Sequence, residues 1–124
     1  MGYDLVTFGE TMIRLSPPNF RRLEQTPVLE VNVGGSELNV AVTAQRLGLR
    51  TAYVTRLTRN PLGRMIANKA REHGVDTSHI VWTDGDRVGV YFVEFGASPR
   101  PNAVIYDRRN SAMARIRPGE VDWE

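Results

Sequence analysis

The sequence predicts an α/β fold: the start of a doubly wound parallel sheet, with a small separate β-sheet inserted into it. Three observations carry this. A strand, a helix and a strand follow one another from Leu5 to Thr55. A second helix with clear end signals occupies about Asn60 to Gly74. Short alternating segments cluster at about 11–33 and 80–108, with no helical pattern inside either stretch.

Leu5-Val-Thr-Phe8 and Met12-Ile-Arg-Leu15 read as strands, closed by a Ser-Pro-Pro-Asn turn at 16–19. Residues 20–33 read as two short extended pieces separated by Pro27, the second alternating through Leu29, Val31 and Val33. The first helix is expected from Ser36 to Leu47, with Leu38, Ala41, Val42, Ala44 and Leu47 toward the sheet and Gly48 at its C′ position. Thr51-Ala-Tyr-Val-Thr55 is the returning strand, which makes a parallel, right-handed βαβ unit. In the second helix Asn60 caps, Pro61 takes the first helical position and Gly74 takes C′. Its inner face is expected to carry Leu62, Met65, Ile66 and Ala70. A strand near Ile80-Val-Trp82, a polar turn at Thr83–Asp86, and strands at 88–95 and 103–108 divided by Gly96–Pro101 complete the chain.

Bulk properties narrow the function. With 124 residues there is room for one core, and 41% hydrophobic and 24% charged residues are ordinary for a globular protein. A net charge of +2, with the basic residues scattered, argues against nucleic acid. No apolar run reaches the length of a membrane helix, and the N-terminus lacks the pattern of a signal peptide. The absence of cysteine rules out disulfides and thiolate metal sites and fits a cytoplasmic location. His73 and His79 do not make a metal pair, and Asp84 and Asp86 are explained by the turn, so no metal site is expected.

The most informative stretch is Val33-Gly34-Gly35-Ser36-Glu37-Leu38-Asn39, a strand entering two glycines and then a helix. Glycine lets a ligand approach the backbone, and a helix start offers unpaired N–H groups and partial positive charge. Asn39 adds a donor and an acceptor one turn in. Such a place suits a ligand rich in hydroxyls or carrying an anion. A turn in which glycine merely supplies a positive φ would explain the pair equally well.

The pattern Gly34-Gly-x-x-x-Asn-x-Ala…Gly48, the opening Asp4-Leu-Val-Thr-Phe-Gly-Glu10, and Asn60-Pro-Leu-Gly63 resemble the ribokinase (PfkB) family of sugar kinases. Gly89-Val-Tyr91-Phe and Ala103-Val-Ile-Tyr106-Asp-Arg108-Arg-Asn-Ser-Ala112 resemble its 2-keto-3-deoxygluconate kinase branch. The resemblance implies a ribokinase-like α/β core in which the segments 11–33 and 80–108 form a β-sheet lid over the sugar. It also implies that residues 1–124 are the N-terminal part of a sugar kinase domain.

Period two places Tyr106 and Arg108 on one face of their strand, a phenol beside a guanidinium that suits a carboxylated, hydroxylated ligand. A surface arginine packed over a ring would look the same. In the branch that this chain resembles, the positions of Tyr91, Tyr106 and Arg108 contact the keto-deoxy acid. Arg14 stands near a position where many neutral-sugar members of the family have Asp, and it fits a carboxylate-bearing substrate better. The substrate-binding set expected from sequence is therefore Gly34, Gly35, Asn39, Tyr91, Tyr106, Arg108 and Arg14. One departure is Leu57-Thr58-Arg59-Asn60, where the family usually has Gly-Asp, so a positive φ at Thr58 would be strained.

The family's Gly-Ala-Gly-Asp motif, which supplies the base and the anion hole, is absent. The resemblance therefore implies an ATP- and Mg²⁺-dependent kinase as the full-length parent, with neither cofactor bound by this stretch, which alone is expected to be inactive. A kinase for a neutral sugar or nucleoside, or a sugar-binding and dimerisation module without catalysis, are the alternatives. Exposed strand edges and apolar groups on both faces of the lid predict a homo-oligomer formed through it.

Overall fold

In the computed structural model, which describes residues 2–97, 99–121 and 123, the chain alternates strands with two helices. In order they are β1 (Leu5–Phe8), β2 (Met12–Ser16), β3 (Glu30–Gly34), α1 (Ser36–Arg46), β4 (Thr51–Val54), β5 (Arg56–Thr58), α2 (Pro61–Glu72), β6 (Val81–Thr83), β7 (Val90–Glu94) and β8 (Ala103–Asp107). Ser98 of the predicted 96–101 loop lies outside the described residues.

The α/β class is as expected, and β1 and β4 pair in parallel, Leu5 opposite Thr51 and Phe8 opposite Val54. The core sheet is not one uninterrupted ladder, however. The run after α1 breaks at Thr55, so that β5 pairs separately, in parallel, with β6. The second sheet has four strands in the order β3-β2-β7-β8. Its β2–β3 and β7–β8 pairs are antiparallel and its central β2–β7 pair is parallel. The strand at 81–83, expected in this sheet, belongs instead with β5, so the sheet's second contribution begins at Val90. Residues 20–29 also differ: the first extended piece is a 3₁₀ turn at Leu23–Gln25. Its Leu23 N–H donates to Glu94 Oε2 at 2.9 Å and ties it to the end of β7.

Local signals placed the helices well. Asn60 Oδ1 accepts from Gly63 N–H at 3.0 Å, Pro61 opens α2, and Gly48 and Gly74 follow the two helices with positive φ. Packing chose different faces in detail. α2 buries Gly63, Ile66, Ala67 and Ala70 and leaves Leu62 and Met65 exposed. The stripe is small because α2 lies directly on β5: a Cβ at Gly63 would overlap the Thr58 carbonyl oxygen. Likewise α1 buries Leu38, Ala41 and Ala44, but Leu47 is 79% exposed, since the helix stops at Arg46 and the chain turns away. Thr58 is buried in a strand without positive φ and donates its hydroxyl to Asn60 Oδ1 at 2.7 Å, so the departure from the family's Gly-Asp causes no strain there.

Two apolar clusters join the layers. Ile13, Leu57, Ile66, Ala67, Ile80 and Val88 pack the base of the four-stranded sheet onto α2 and β5. Leu38, Ala41, Tyr53, Ala70 and Val75 pack both helices onto β4. Val33 borders both clusters and ties β3 to the core, while β8 at the other edge of the sheet is exposed along its length. Among the described residues no helix is long and apolar enough to cross a membrane.

Candidate sugar site

A cavity of about 650 Å³ lies between the four-stranded sheet, the β1–β2 turn and the start of α1. Register builds its wall. Asn32, Arg14, Tyr91 and Tyr106 are cross-strand partners, one from each strand of the sheet, and therefore share a face. Three of these four line the cavity, and Arg108, two residues beyond Tyr106, lines it too. The Tyr91 and Tyr106 rings stack with centroids 5.7 Å apart and 25° between planes. The Arg108 guanidinium carbon lies 5.1 Å from the Tyr106 centroid.

The floor is the Gly34–Asn39 stretch. Neither glycine has a positive φ, so the simple turn explanation for the pair does not hold. Close approach explains it: a Cβ at Gly34 would overlap the Tyr91 hydroxyl, and one at Gly35 would sit 2.9 Å from Thr11 Oγ1. No side chain caps α1, whose first turn therefore faces the cavity with free N–H donors alongside Ser36, Glu37 and Asn39. The opposite rim is the β1–β2 turn. Buried Tyr53 fixes it, its hydroxyl donating to the Gly9 carbonyl at 3.0 Å and lying 2.6 Å from Thr11 Oγ1. Burial pushes the Tyr53 phenol up to about 12, so it stays a neutral donor.

All seven residues singled out in the sequence line this one cavity. The sequence reading missed Glu10 and Glu37, which bring two carboxylates into the same cavity as the two arginines. The signal for Glu10 was present: it follows the carboxyl end of a parallel strand, where ligands bind in α/β sheets. The two arginines differ. Arg108 Nη1 is 3.9 Å from Glu10 Oε1. Arg14 makes no ion pair within 4 Å among the described residues, its Nε is buried without a hydrogen-bond partner, and its guanidinium carbon is 5.9 Å from the Phe95 ring centroid. Such a set of donors, acceptors and stacked rings can hold an anionic group together with several hydroxyls. Among the described residues no group of three or more His, Asp or Glu side chains gathers to hold a metal ion.

The chain was compared with known proteins. A family model described as pfkB family carbohydrate kinase matches residues 3–123. The 2-dehydro-3-deoxygalactonokinase of Haloferax volcanii is 48% identical over 121 residues, which is 98% of this chain and 38% of that protein. The 2-dehydro-3-deoxygluconokinase of Thermoproteus tenax is 34% identical over 119 residues, 95% of this chain and 37% of that protein. The crystal structure of 2-dehydro-3-deoxygluconokinase from Thermotoga maritima superposes with a TM-score of 0.93 at 47% identity, over 97% of this chain and 36% of that one. The chain thus spans between 36% and 38% of the length of these relatives. With the family's pattern running through nearly every element described above, this chain belongs to the pfkB family of carbohydrate kinases.

Proposed function

We propose that this chain forms the sugar-acid site of an ATP-dependent kinase acting on a 2-keto-3-deoxy sugar acid such as 2-keto-3-deoxygluconate. The observation that carries this is Arg14, a cation at the cavity wall with a buried, unpartnered Nε, in line with Arg108 on the same face. A buried donor without a partner is costly unless a ligand satisfies it, and a carboxylate matches a guanidinium fork best. Gly34, Gly35, Asn39, Tyr91 and Tyr106 then bind the hydroxyls and cover the carbon chain, with Glu37 as a further acceptor. The names of the similar proteins support the same substrate class.

In this reading the substrate's terminal hydroxyl passes its proton to a base outside this stretch as its oxygen bonds the γ-phosphorus of ATP, the bond from that phosphorus to the β–γ bridging oxygen breaks, and ADP leaves. ATP would supply the phosphoryl group, and Mg²⁺ would offset its charge. Among the described residues no group of three or more His, Asp or Glu side chains gathers, and both are assigned in this reading to the part of the relatives' length that this chain does not span. The four-stranded sheet serves as a lid, and its far face joins a second copy. The substrate reading is tested by assaying ADP release from the gene product that carries these residues, with keto-deoxy acids, fructose, ribose and a nucleoside. Preference for a neutral substrate would exclude it.

A further inference from the structure

We propose that Glu10 is a positioning residue for Arg108, and that buried Ser111 holds Glu10 in place. The proposal rests on the reading of Arg108 as a cation that meets the substrate carboxylate. Arg108 has a long, half-exposed side chain, and ordering it when a ligand arrives costs rotamer freedom. Among the described residues its ion-pair partner within 4 Å is Glu10. Glu10 itself is held firmly: its side chain is 18% exposed and Oε2 accepts from Ser111 Oγ at 2.5 Å.

Ser111 lies outside the cavity lining and is fully buried. After Arg108 the chain turns at Asn110, which has φ 56, and returns beneath the β1–β2 turn. Ser111 N–H donates to the Arg108 carbonyl at 3.1 Å, and Ala112 N–H donates to the Arg87 carbonyl at 2.6 Å. Arg56 Nη1 donates to the Ala112 carbonyl at 2.9 Å. The Ser111 hydroxyl is therefore delivered by a fixed backbone. A second observation points the same way. A Cβ at Gly89 would fall 2.8 Å from Glu10 Oε2 and 2.9 Å from Arg108 Cβ, so this glycine leaves the two side chains room to approach.

The geometry also leaves Arg108 usable. At 3.9 Å the contact with Glu10 is an ion pair and not a hydrogen bond, and it engages Nη1 alone. The other edge of the guanidinium stays open for a bidentate carboxylate. Glu10 thus sets where the fork points without occupying it.

The test measures binding of 2-keto-3-deoxygluconate by calorimetry, using the gene product that carries these residues. Glu10→Gln, which keeps an acceptor for Ser111, and Ser111→Ala are each expected to weaken binding roughly three- to ten-fold, while the KM for ATP stays within about twofold. In an Arg108→Ala background, Glu10→Gln is expected to have no further effect, which separates positioning from a general need of the fold for Glu10. Unchanged or tighter binding in Glu10→Gln would overturn the proposal. So would an undiminished effect of Glu10→Gln in the Arg108→Ala background. Should Ser111→Ala fail to fold, the Glu10→Gln cycle decides alone. If Arg108→Ala itself leaves sugar-acid binding intact, the reading of Arg108 fails and this proposal falls with it; an effective Arg108→Ala with a silent Glu10→Gln overturns the positioning role only.

Discussion

Gly34 and Tyr91 fit each other so closely that a single Cβ on Gly34 would overlap the Tyr91 hydroxyl. One stands at the end of β3 and the other in β7, so the contact spans the cavity side of the sheet. Gly34→Ala is expected to displace Tyr91, to cost about 1–3 kcal/mol of stability as overpacking, and to weaken sugar-acid binding. In a Tyr91→Phe background the overlapping oxygen is gone, and the loss in Tm from Gly34→Ala should be smaller. Equal losses in the two backgrounds would mean that the collision is not the cause.

Arg14 is expected to oppose stability to function. Its Nε is buried without a partner, so Arg14→Met removes an unsatisfied donor while keeping an apolar stem. Tm should stay level or rise, while the KM for the sugar acid rises about tenfold or more, as expected for loss of a charge-assisted hydrogen bond. A large fall in Tm together with unchanged KM would assign Arg14 to the fold.

A pH dependence follows from Arg56. Its Nη1 lies 2.5 Å from Asp86 Oδ2 and its Nε 3.0 Å from Glu120 Oε1. The hydrogen bond from Arg56 holds Asp86 below its ordinary value; a backbone N–H from Arg117, then Arg56, does the same for Glu120. A carboxylate lowered in the folded state contributes stability above its unfolded pKa, near 4, and loses it as pH falls through the lowered value. Tm should be steady from pH 7 to about 5 and fall below about 4. Arg56→Met should lower Tm at pH 7 far more than at pH 3; a constant difference across that range would remove the ion pairs from the account.

Association through the four-stranded sheet, as proposed above, is expected to use one of its faces. Val31, Leu15, Phe92 and Ile105 are register partners across all four strands, and Val31 and Ile105 are more than half exposed. Leu23, Pro27 and Leu29 extend that apolar surface beside Phe92 and Ile105. Light scattering at low micromolar concentration should give a mass above the monomer, and Ile105→Asp should reduce it. A monodisperse wild-type monomer would contradict this.

Much of the architecture was legible because its signals are local. Asn60, Pro61 and Gly74 mark the ends of α2 within a few residues of where they act, and the alternation in β3 and β8 reveals each strand's faces. Sheet membership is not local: Val81–Thr83 reads as a strand, but its pairing with β5 depends on how α2 carries the intervening chain back beside it. Helix faces depended on partners in the same way, since the demand for a small stripe on α2 comes from the Thr58 carbonyl beneath it. The Gly-Gly turn pointed to Gly34, Gly35 and Asn39 and the strand period to Tyr106 and Arg108, while Tyr91 and Arg14 came from the family resemblance. Glu10 was missed although it follows the carboxyl end of β1; what was not legible is its tie to Ser111, 101 positions away along the chain.

The central claim is that a substrate carboxylate is met by the arginines of this cavity, and Arg108 tests it most directly. Steady-state constants for 2-keto-3-deoxygluconate and for ATP should be compared between wild type and Arg108→Ala in the gene product that carries these residues. Loss of a charge-assisted contact of about 1.5–3 kcal/mol predicts a fall in kcat/KM for the sugar acid of roughly ten- to a hundredfold. The KM for ATP should move by no more than about twofold. Sugar-acid kinetics that match the wild type would contradict the account and take Arg108 out of the site.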